Sequence, residues 1–128
     1  MSFSIEIEAD TGIAIGRCSG DLQVQHALTA VKALWADPDW PGRAVVWDFR
    51  EARFDLGSPD VSEVARFVLG EQRDPPPSKV VFVVARDVDF GLGRMFEAYR
   101  QDRRTETRVL RDYDEALRWA RSADRAAG

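Results

Sequence analysis

The segment K-V-V-F-V-V-A, from Lys79 to Ala85, decides the fold. Four of its residues are valines and one is a phenylalanine, and both residue types favour β-strands. Its apolar residues do not alternate with polar ones, which is typical of a strand that is covered on both faces, as in a parallel sheet. The segment therefore predicts a central strand of a largely parallel sheet.

Four further strands are predicted on either side of this segment. A-V-V-W-D-F, Ala44–Phe49, is a second apolar run, and Thr105–Leu110 is the last strand of the chain. Apolar residues at every second position of Phe3–Ile7 indicate a half-buried strand. A turn at residues 10–12 connects it to a strand from Ile13 to about Cys18, so we expect these two strands to be antiparallel.

A helix is predicted after each strand from the second onward. A residue suited to a helix N-cap precedes each helix, namely Asp21, Ser58, Asp89 and Asp112. Apolar residues at helical spacing follow, and Asp74-Pro75-Pro76-Pro77 stops the second helix, which we place at residues 59–70. The order β-β-α-β-α-β-α-β-α predicts an α/β fold with a mixed, mostly parallel five-stranded sheet and four helices. We expect one domain over residues 1–128, with residues 122–128 frayed.

Composition excludes several classes of function. The chain has 128 residues and a net charge of −4, which argues against general nucleic-acid binding because that binding needs Lys and Arg to neutralise phosphates. It has no apolar run of membrane-spanning length, so we expect no membrane insertion. The N-terminus does not resemble a secretory signal, and the single cysteine, Cys18, favours a reducing cytoplasm. We expect the basic stretch Arg100–Arg111 to be a solvated helix end and loop, and Trp40 to be exposed in a turn.

The whole series of motifs resembles the STAS family, the sulphate-transporter and anti-sigma-factor-antagonist domains. It is most similar to small bacterial proteins described as SpoIIAA-like or related to STAS and CRAL-TRIO domains. The matching motifs span nearly the whole chain and are, in order, I-x-I (5–7), G-I-A-I-G-R (12–17), S-G-D (19–21), D-P-D-W-P-G-R (37–43), V-V-W-D-F-R (45–50), F-G-L-G-R-M-F (90–96) and D-Y-D-E-A-L-R-W (112–119). The resemblance implies a SpoIIAA-like fold.

The resemblance also implies non-enzymatic work as a regulatory module that binds a partner protein, with a homodimer as a further option. Anti-sigma-factor antagonists carry a phosphorylatable serine in an aspartate-serine-serine-glycine loop before the second helix. Asp55 matches that aspartate, Leu56 and Gly57 fall on the serines, and Ser58 falls on the glycine. Asp55, Gly57 and Ser58 therefore form the candidate switch and partner loop. Physical chemistry offers an alternative, because a serine followed by proline is a good helix N-cap.

A second candidate site lies around the loop Asp87–Arg94. Gly91 and Gly93 would leave backbone N–H groups open to an anion, with Arg94 as a clamp. Together with Trp47, Phe90 and Phe96, these residues would hold a small apolar or anionic ligand, which makes the protein a carrier or sensor. The alternative is that the glycines let this helix pack closely on the sheet.

Catalytic chemistry has little support in the sequence. Asp48, Asp55, Asp87 and Asp89 could converge at the strand ends and bind Mg²⁺, which prefers oxygen ligands. The lone histidine, His26, is expected on the exposed face of its helix without a partner. We expect no cofactor and no catalytic residues, and three hypotheses remain: a regulatory interaction module, a ligand carrier and a Mg²⁺-dependent enzyme.

Overall fold

The computed structural model describes residues 1–71, 76–100 and 104–122. Its elements follow the predicted order and are β1 (Ser2–Ile7), β2 (Ala14–Leu22), α1 (Val24–Ala36), β3 (Ala44–Phe54), α2 (Ser58–Glu71), β4 (Lys79–Val83), α3 (Asp87–Tyr99), β5 (Glu106–Leu110) and α4 (Tyr113–Arg121). Residues 123–128 of the tail expected to fray, 122–128, lie outside the described residues, as do residues 74–75 of the proposed helix stop, 74–77.

The five strands form one sheet in the order in which they occur along the chain, β1-β2-β3-β4-β5. β1 pairs with β2 antiparallel, and the other three pairs are parallel. This confirms the predicted mixed sheet, and β4 is an interior strand beside the middle strand β3. Each right-handed crossover moves one strand further in the same direction, so α1, α2 and α3 lie on one face. α4 covers the opposite face, where it contacts β3, β4 and β5.

Each face of the sheet carries its own core. On β3, Val45, Trp47 and Phe49 join the core under α1–α3, which we call the helix-side core. Ala44 and Val46 point the other way and pack with α4 in a second core. Successive strand residues face opposite sides of a sheet. A strand between two apolar layers is therefore apolar at every position, which explains the unbroken run in the sequence.

Parallel pairing extends β2 and β3 beyond their predicted ends. β2 was expected to end near Cys18, but it continues to Leu22, which pairs with Phe54 of β3. Asp21, predicted to cap the first helix, lies within β2 and forms a salt bridge with Arg53 of β3 at 2.8 Å. The N-cap of α1 is Gln23. The ladder between the two strands therefore overrides the local capping preference of aspartate.

Asp89, predicted to cap the third helix, and Trp40, predicted to be exposed, are both buried. α3 begins at Asp87 rather than after Asp89, and Asp89 is 1% exposed. Its carboxylate accepts a hydrogen bond from the Phe54 N–H at 3.2 Å and two from the Arg86 side chain. It thereby joins α3 to the end of β3. Trp40, expected to be exposed, is 2% exposed and packs in the helix-side core. The Pro-Gly turn that follows it folds the indole inward, where its N–H donates to the Ala44 carbonyl at 3.4 Å.

Candidate functional site

A cavity of about 110 Å³ lies between the sheet and helices α1–α3. The sheet contributes aromatic side chains to its wall, and the three helices contribute mainly aliphatic ones. Representative lining residues are Trp47, Phe49 and Phe82 from the strands and Ala30, Val64 and Phe96 from the helices. Native interiors are close-packed and contain few voids larger than a water molecule. A cavity of this size is therefore unusual in a domain of 128 residues.

The sheet wall of the cavity is a row of contacting rings. Trp47 stacks on Phe49 with 6.3 Å between ring centroids, and Phe49 stacks on Phe82 at 6.0 Å. Phe96 of α3 meets Phe82 edge-on at 5.1 Å. Gly16 on β2 makes room for the indole, because a Cβ there would lie 2.4 Å from Trp47 Cε3. The row forms a broad, ordered apolar surface.

One end of the cavity wall is polar. Arg100, at the C-cap of α3, is 3% exposed and lines the cavity. Its Nη1 donates to Thr107 Oγ1 at 3.4 Å. Among the lining residues that the structure describes, Arg100 is the one with a charged side chain. The expectation that the basic stretch from Arg100 onward is a solvated helix end is therefore wrong for Arg100, because the chain turns this side chain back beneath α3.

Half of the predicted ligand residues line this cavity. Trp47, Gly93 and Phe96 are part of its wall. Gly93 also sets the distance between α3 and the sheet, since a Cβ there would lie 3.0 Å from Val109 Cγ1. This contact agrees with the alternative interpretation of the glycines, close packing of the helix on the sheet.

The other predicted ligand residues lie outside the lining. Arg94 is exposed and forms a salt bridge with Glu97 at 3.4 Å. A Cβ at Gly91 would meet no atom within 4 Å. Phe90 packs against the helix-side core and lies beneath the guanidinium of Arg111, 4.9 Å from its ring centroid. The structure thus does not bring Arg94, the expected anion clamp, to the cavity.

Helix α2, which follows the candidate switch loop, has a different N-cap from the one predicted. The Gly57 N–H donates to Asp60 Oδ2 at 2.8 Å, and the Gly57 carbonyl accepts from the Val61 N–H at 3.2 Å. Gly57 is therefore the N-cap, and the prediction that Ser58 caps α2 is wrong. Ser58 is the first helical residue, exposed, with Oγ 3.9 Å from Met95 Sδ. The Asp60 carboxylate takes the capping role, since it can reach the Gly57 N–H from the first turn.

Asp55, the first residue of that loop, contacts the residue before α1. Its Oδ2 accepts a hydrogen bond from Gln23 Nε2 at 3.0 Å, and its N–H donates to the Leu22 carbonyl at 2.8 Å. These bonds join the β3–α2 loop to the β2–α1 connection. Asp55 and Ser58 follow the end of β3 and lie at the carboxyl edge of the sheet.

The four aspartates proposed for Mg²⁺ are each paired elsewhere. Asp48 accepts two hydrogen bonds from the Arg50 side chain, at 2.9 and 2.8 Å. Burial raises the pKa of Asp48, but the hydrogen bonds from Arg50 outweigh burial and bring it below its ordinary value of 3.8. Asp87 pairs with Arg111, Asp89 with Arg86 and Asp55 with Gln23. Within the described part of the chain, no three side chains of metal-binding type come together.

Cys18 and His26 both have structural roles. Cys18 is buried, and burial together with the nearby Asp48 carboxylate raises the pKa of its thiol to about 12. It is therefore a core residue and a poor nucleophile at neutral pH. His26 is half-buried rather than exposed, and its Nδ1 accepts a hydrogen bond from the Gln23 N–H at 3.1 Å. The expectation that it has no partner is wrong, because it closes the first turn of α1.

Comparison with known proteins identifies the fold. No family model and no curated protein matches this chain. Among solved structures, it is similar to the crystal structure of an uncharacterised DUF3478-family protein with a SpoIIAA-like fold from Shewanella loihica PV-4. The TM-score is 0.60 at 15% sequence identity, and the match covers 93% of this chain and 92% of that chain. The chain therefore has a SpoIIAA-like fold, as the motifs predicted.

Within residues 1–71, 76–100 and 104–122, no helix combines the length and the apolar character that a membrane-spanning helix requires.

Proposed function

We propose that this protein is a carrier or sensor of a small apolar ligand, which binds between the sheet and α1–α3. The observation that supports the proposal is the cavity of about 110 Å³ with its aromatic wall. Ligand sites in small proteins are typically concave, mostly apolar and contain few polar groups. The wall described above has this character.

Burial of apolar surface would give binding its driving force. The wall of the cavity is almost entirely apolar, and apolar surface removed from water contributes about 25 cal/mol per Å². A small apolar ligand would therefore gain both burial and dispersion contacts along the row of aromatic rings.

The volume also limits the size of the ligand. Roughly 150 Å³ of apolar cavity in another protein is enough to bind benzene, so about 110 Å³ favours a ligand of one ring or a short alkyl chain. Longer molecules would extend beyond the cavity.

Thermal unfolding with small apolar probes tests the proposal. Benzene and hexan-1-ol should raise the Tm, because a ligand that binds the folded state at 100 times its Kd adds about 2.7 kcal/mol. Ala30→Leu should abolish the rise by filling the cavity, since Ala30 is 3% exposed and lines it. Ala98→Leu, at an exposed position of α3, is the matched control and should respond like the wild type. A Tm that neither probe moves, or an unchanged response in Ala30→Leu, would contradict the proposal.

The partner-binding module remains a second candidate, favoured by one observation. The Ser58 hydroxyl is exposed and is not used for capping, so it is open to modification. Mass spectrometry of protein purified gently from its host, under native and then denaturing conditions, separates the two candidates. Mass that is lost on denaturation supports a bound ligand, whereas a phosphoryl-sized addition that survives and maps to Ser58 supports the switch.

A further inference from the structure

β1 is an edge strand whose outer side carries none of the usual protective devices. Among the strands that the structure describes, β1 has a neighbour on one side only. Its pairing with β2 is regular over Ser2–Ile7, without a bulge, and the strand contains neither proline nor lysine. Natural proteins use such devices to protect an edge, because unpaired N–H and C=O groups attract another strand. β1 therefore has the features of an edge that pairs with another chain.

The backbone of β1 presents every second residue to this outer side. The Glu8 N–H donates to the Ile13 carbonyl at 2.9 Å, so this N–H points toward β2. The register continues along β1 without a shift. In an antiparallel pair, successive residues direct their backbone groups alternately toward and away from the partner strand. The N–H and C=O groups of Phe3, Ile5 and Ile7 therefore point outward.

The side chains of the same three residues form an apolar row. Phe3, Ile5 and Ile7 are half-buried and pack against the helix-side core. The residues between them, Ser4 and Glu6, are exposed on the opposite face. A strand laid beside β1 would cover more of the apolar row, and each Å² removed from water contributes about 25 cal/mol. Backbone pairing and apolar burial would thus act together at this edge.

The edge is complementary to a second copy of itself. In an antiparallel pair of β1 strands centred on Ile5, the two Ile5 residues lie opposite each other, and Phe3 of each copy lies opposite Ile7 of the other. Each of these outward residues then occupies a hydrogen-bonded position, so its N–H meets a carbonyl of the other copy. Glu6 lies opposite Ser4 of the other copy, which avoids the repulsion of two carboxylates in one cross-strand pair.

The polar face of this pair is complementary in charge. Arg17 of β2 lies opposite Ser4 and forms a salt bridge with Glu6 at 3.3 Å. In the paired copies, Glu6 of one copy lies opposite Ser4 of the other and therefore shares a cross-strand row with the Arg17 of that other copy. The acidic residue of β1 thus approaches a cation of the second copy, and opposite charges in neighbouring cross-strand positions are favourable.

We infer that two copies of this chain associate through β1, in an antiparallel pair centred on Ile5 that joins their two sheets into one continuous sheet. The same surface of each copy contacts the other, as a two-fold axis requires. This inference goes beyond the proposed carrier function and does not depend on it, because no residue of β1 lines the cavity. The two proposals can therefore fail separately.

A proline at the centre of the pair tests the inference. Sedimentation equilibrium of the full chain should show a dimer in the wild type. Ile5→Pro removes an outward N–H and leaves the bonds to β2 in place, so it should raise the Kd of the dimer about tenfold or more. Ile5→Val keeps the N–H and a β-branched side chain, so this matched control should dimerise like the wild type.

Two results would overturn the inference. A wild type that stays monomeric would leave the edge to a different partner, and a dimer that Ile5→Pro does not weaken would place the interface elsewhere. Amide hydrogen exchange of the wild type decides the question if Ile5→Pro does not fold. The N–H groups of Phe3, Ile5 and Ile7 should exchange more slowly at high protein concentration than after dilution. Exchange at these three positions that does not change with concentration would also contradict pairing through β1.

Discussion

A glycine and an aspartate, rather than a serine, cap α2. The Gly57 N–H donates to the carboxylate of Asp60, and Ser58 Oγ makes no bond to the first turn in this arrangement. Asp60→Ala should therefore lower the free energy of unfolding by about 1 kcal/mol, the usual value of a cap. Ser58→Ala should cost less than about 0.5 kcal/mol, as at most exposed positions. Urea denaturation of both variants measures this difference, and a larger loss in Ser58→Ala would restore serine as the cap.

Ser58 and Asp60 also show where prediction from single residues fails. The sequence S-P-D contains two competent caps, and composition alone favours the serine, because Pro59 then falls at the first helical position. The structure begins the helix one residue earlier, which places Pro59 at the second position. Its missing N–H costs nothing there either, since the first four N–H groups of a helix have no partner within it. The local sequence does not distinguish a helix that begins at Ser58 from one that begins at Pro59, because the path of the preceding loop decides between them.

At the scale of elements, α3 can approach β5 because of one glycine. A Cβ at Gly93 would lie 3.0 Å from Val109 Cγ1, whereas one at Gly91 would meet open space. Gly91→Ala should stabilise the protein by about 1 kcal/mol through helix propensity. Gly93→Ala gains the same propensity but overpacks the interface, so it should be about 1–3 kcal/mol less stable than Gly91→Ala. Thermal or urea unfolding of the two variants compares them directly, and equal stability would show that the approach of α3 does not depend on Gly93.

The kind and order of the elements could be predicted, but their ends could not. Unbroken apolar runs identify β3 and β4, since a strand between two layers is apolar throughout. The end of β2 depends on its partner, because Asp21 and Leu22 extend it by pairing with Arg53 and Phe54. Those residues are 32 positions away in the sequence numbering, so no local pattern reports the pairing. Capping preferences are local and small, and tertiary pairing overrides them.

At the scale of the whole molecule, an ion pair and a cation–π contact join α4 to the rest of the fold. Arg121 of α4 pairs with Glu8, and Arg50, which pairs with Asp48, lies 4.2 Å from the ring centroid of Tyr113 at the start of α4. The hydrogen bond from Arg121 brings the pKa of Glu8 below its ordinary value of 4.5. The pKa of Asp48 is also lowered, from 3.8. Both carboxylates are therefore more acidic in the folded protein.

These shifts predict how stability depends on acid. A carboxyl group with a lowered folded pKa contributes stability above its unfolded value and loses it as the pH falls through the folded value. Stability should therefore decline as the pH falls below about 4.5, the ordinary value for Glu8. Urea unfolding from pH 7 to pH 3 measures the decline. Asp48→Asn should make it less steep, because it removes the carboxylate that pairs with Arg50. An unchanged slope in Asp48→Asn would show that the pair with Arg50 is not formed.

The candidate site was predictable in part, and the missing part is the charged residue. The sequence predicts an apolar pocket between the third helix and the sheet, and Trp47, Gly93 and Phe96 line the observed cavity. Arg100 could not be identified, because arginines within a basic stretch are normally solvated. Its burial requires the C-terminal end of α3 to lie over Thr107, and the packing of α3 on β5 determines that position. Apolar periodicity therefore predicts the wall of a site better than its polar contacts.

The sequential strand order has a consequence for synthesis on the ribosome. Every new strand joins the edge formed by the strand before it, so β1–β5 can assemble in the order in which they emerge. The helix-side core is likewise completed crossover by crossover. The opposite face of the sheet is covered later. Its residues Ile15, Val46 and Val81 pack against α4, which is synthesised after the last strand. During translation this valine-rich surface stays bare after the rest of the sheet has formed, and it is then the part of the nascent chain most open to chaperones and to aggregation.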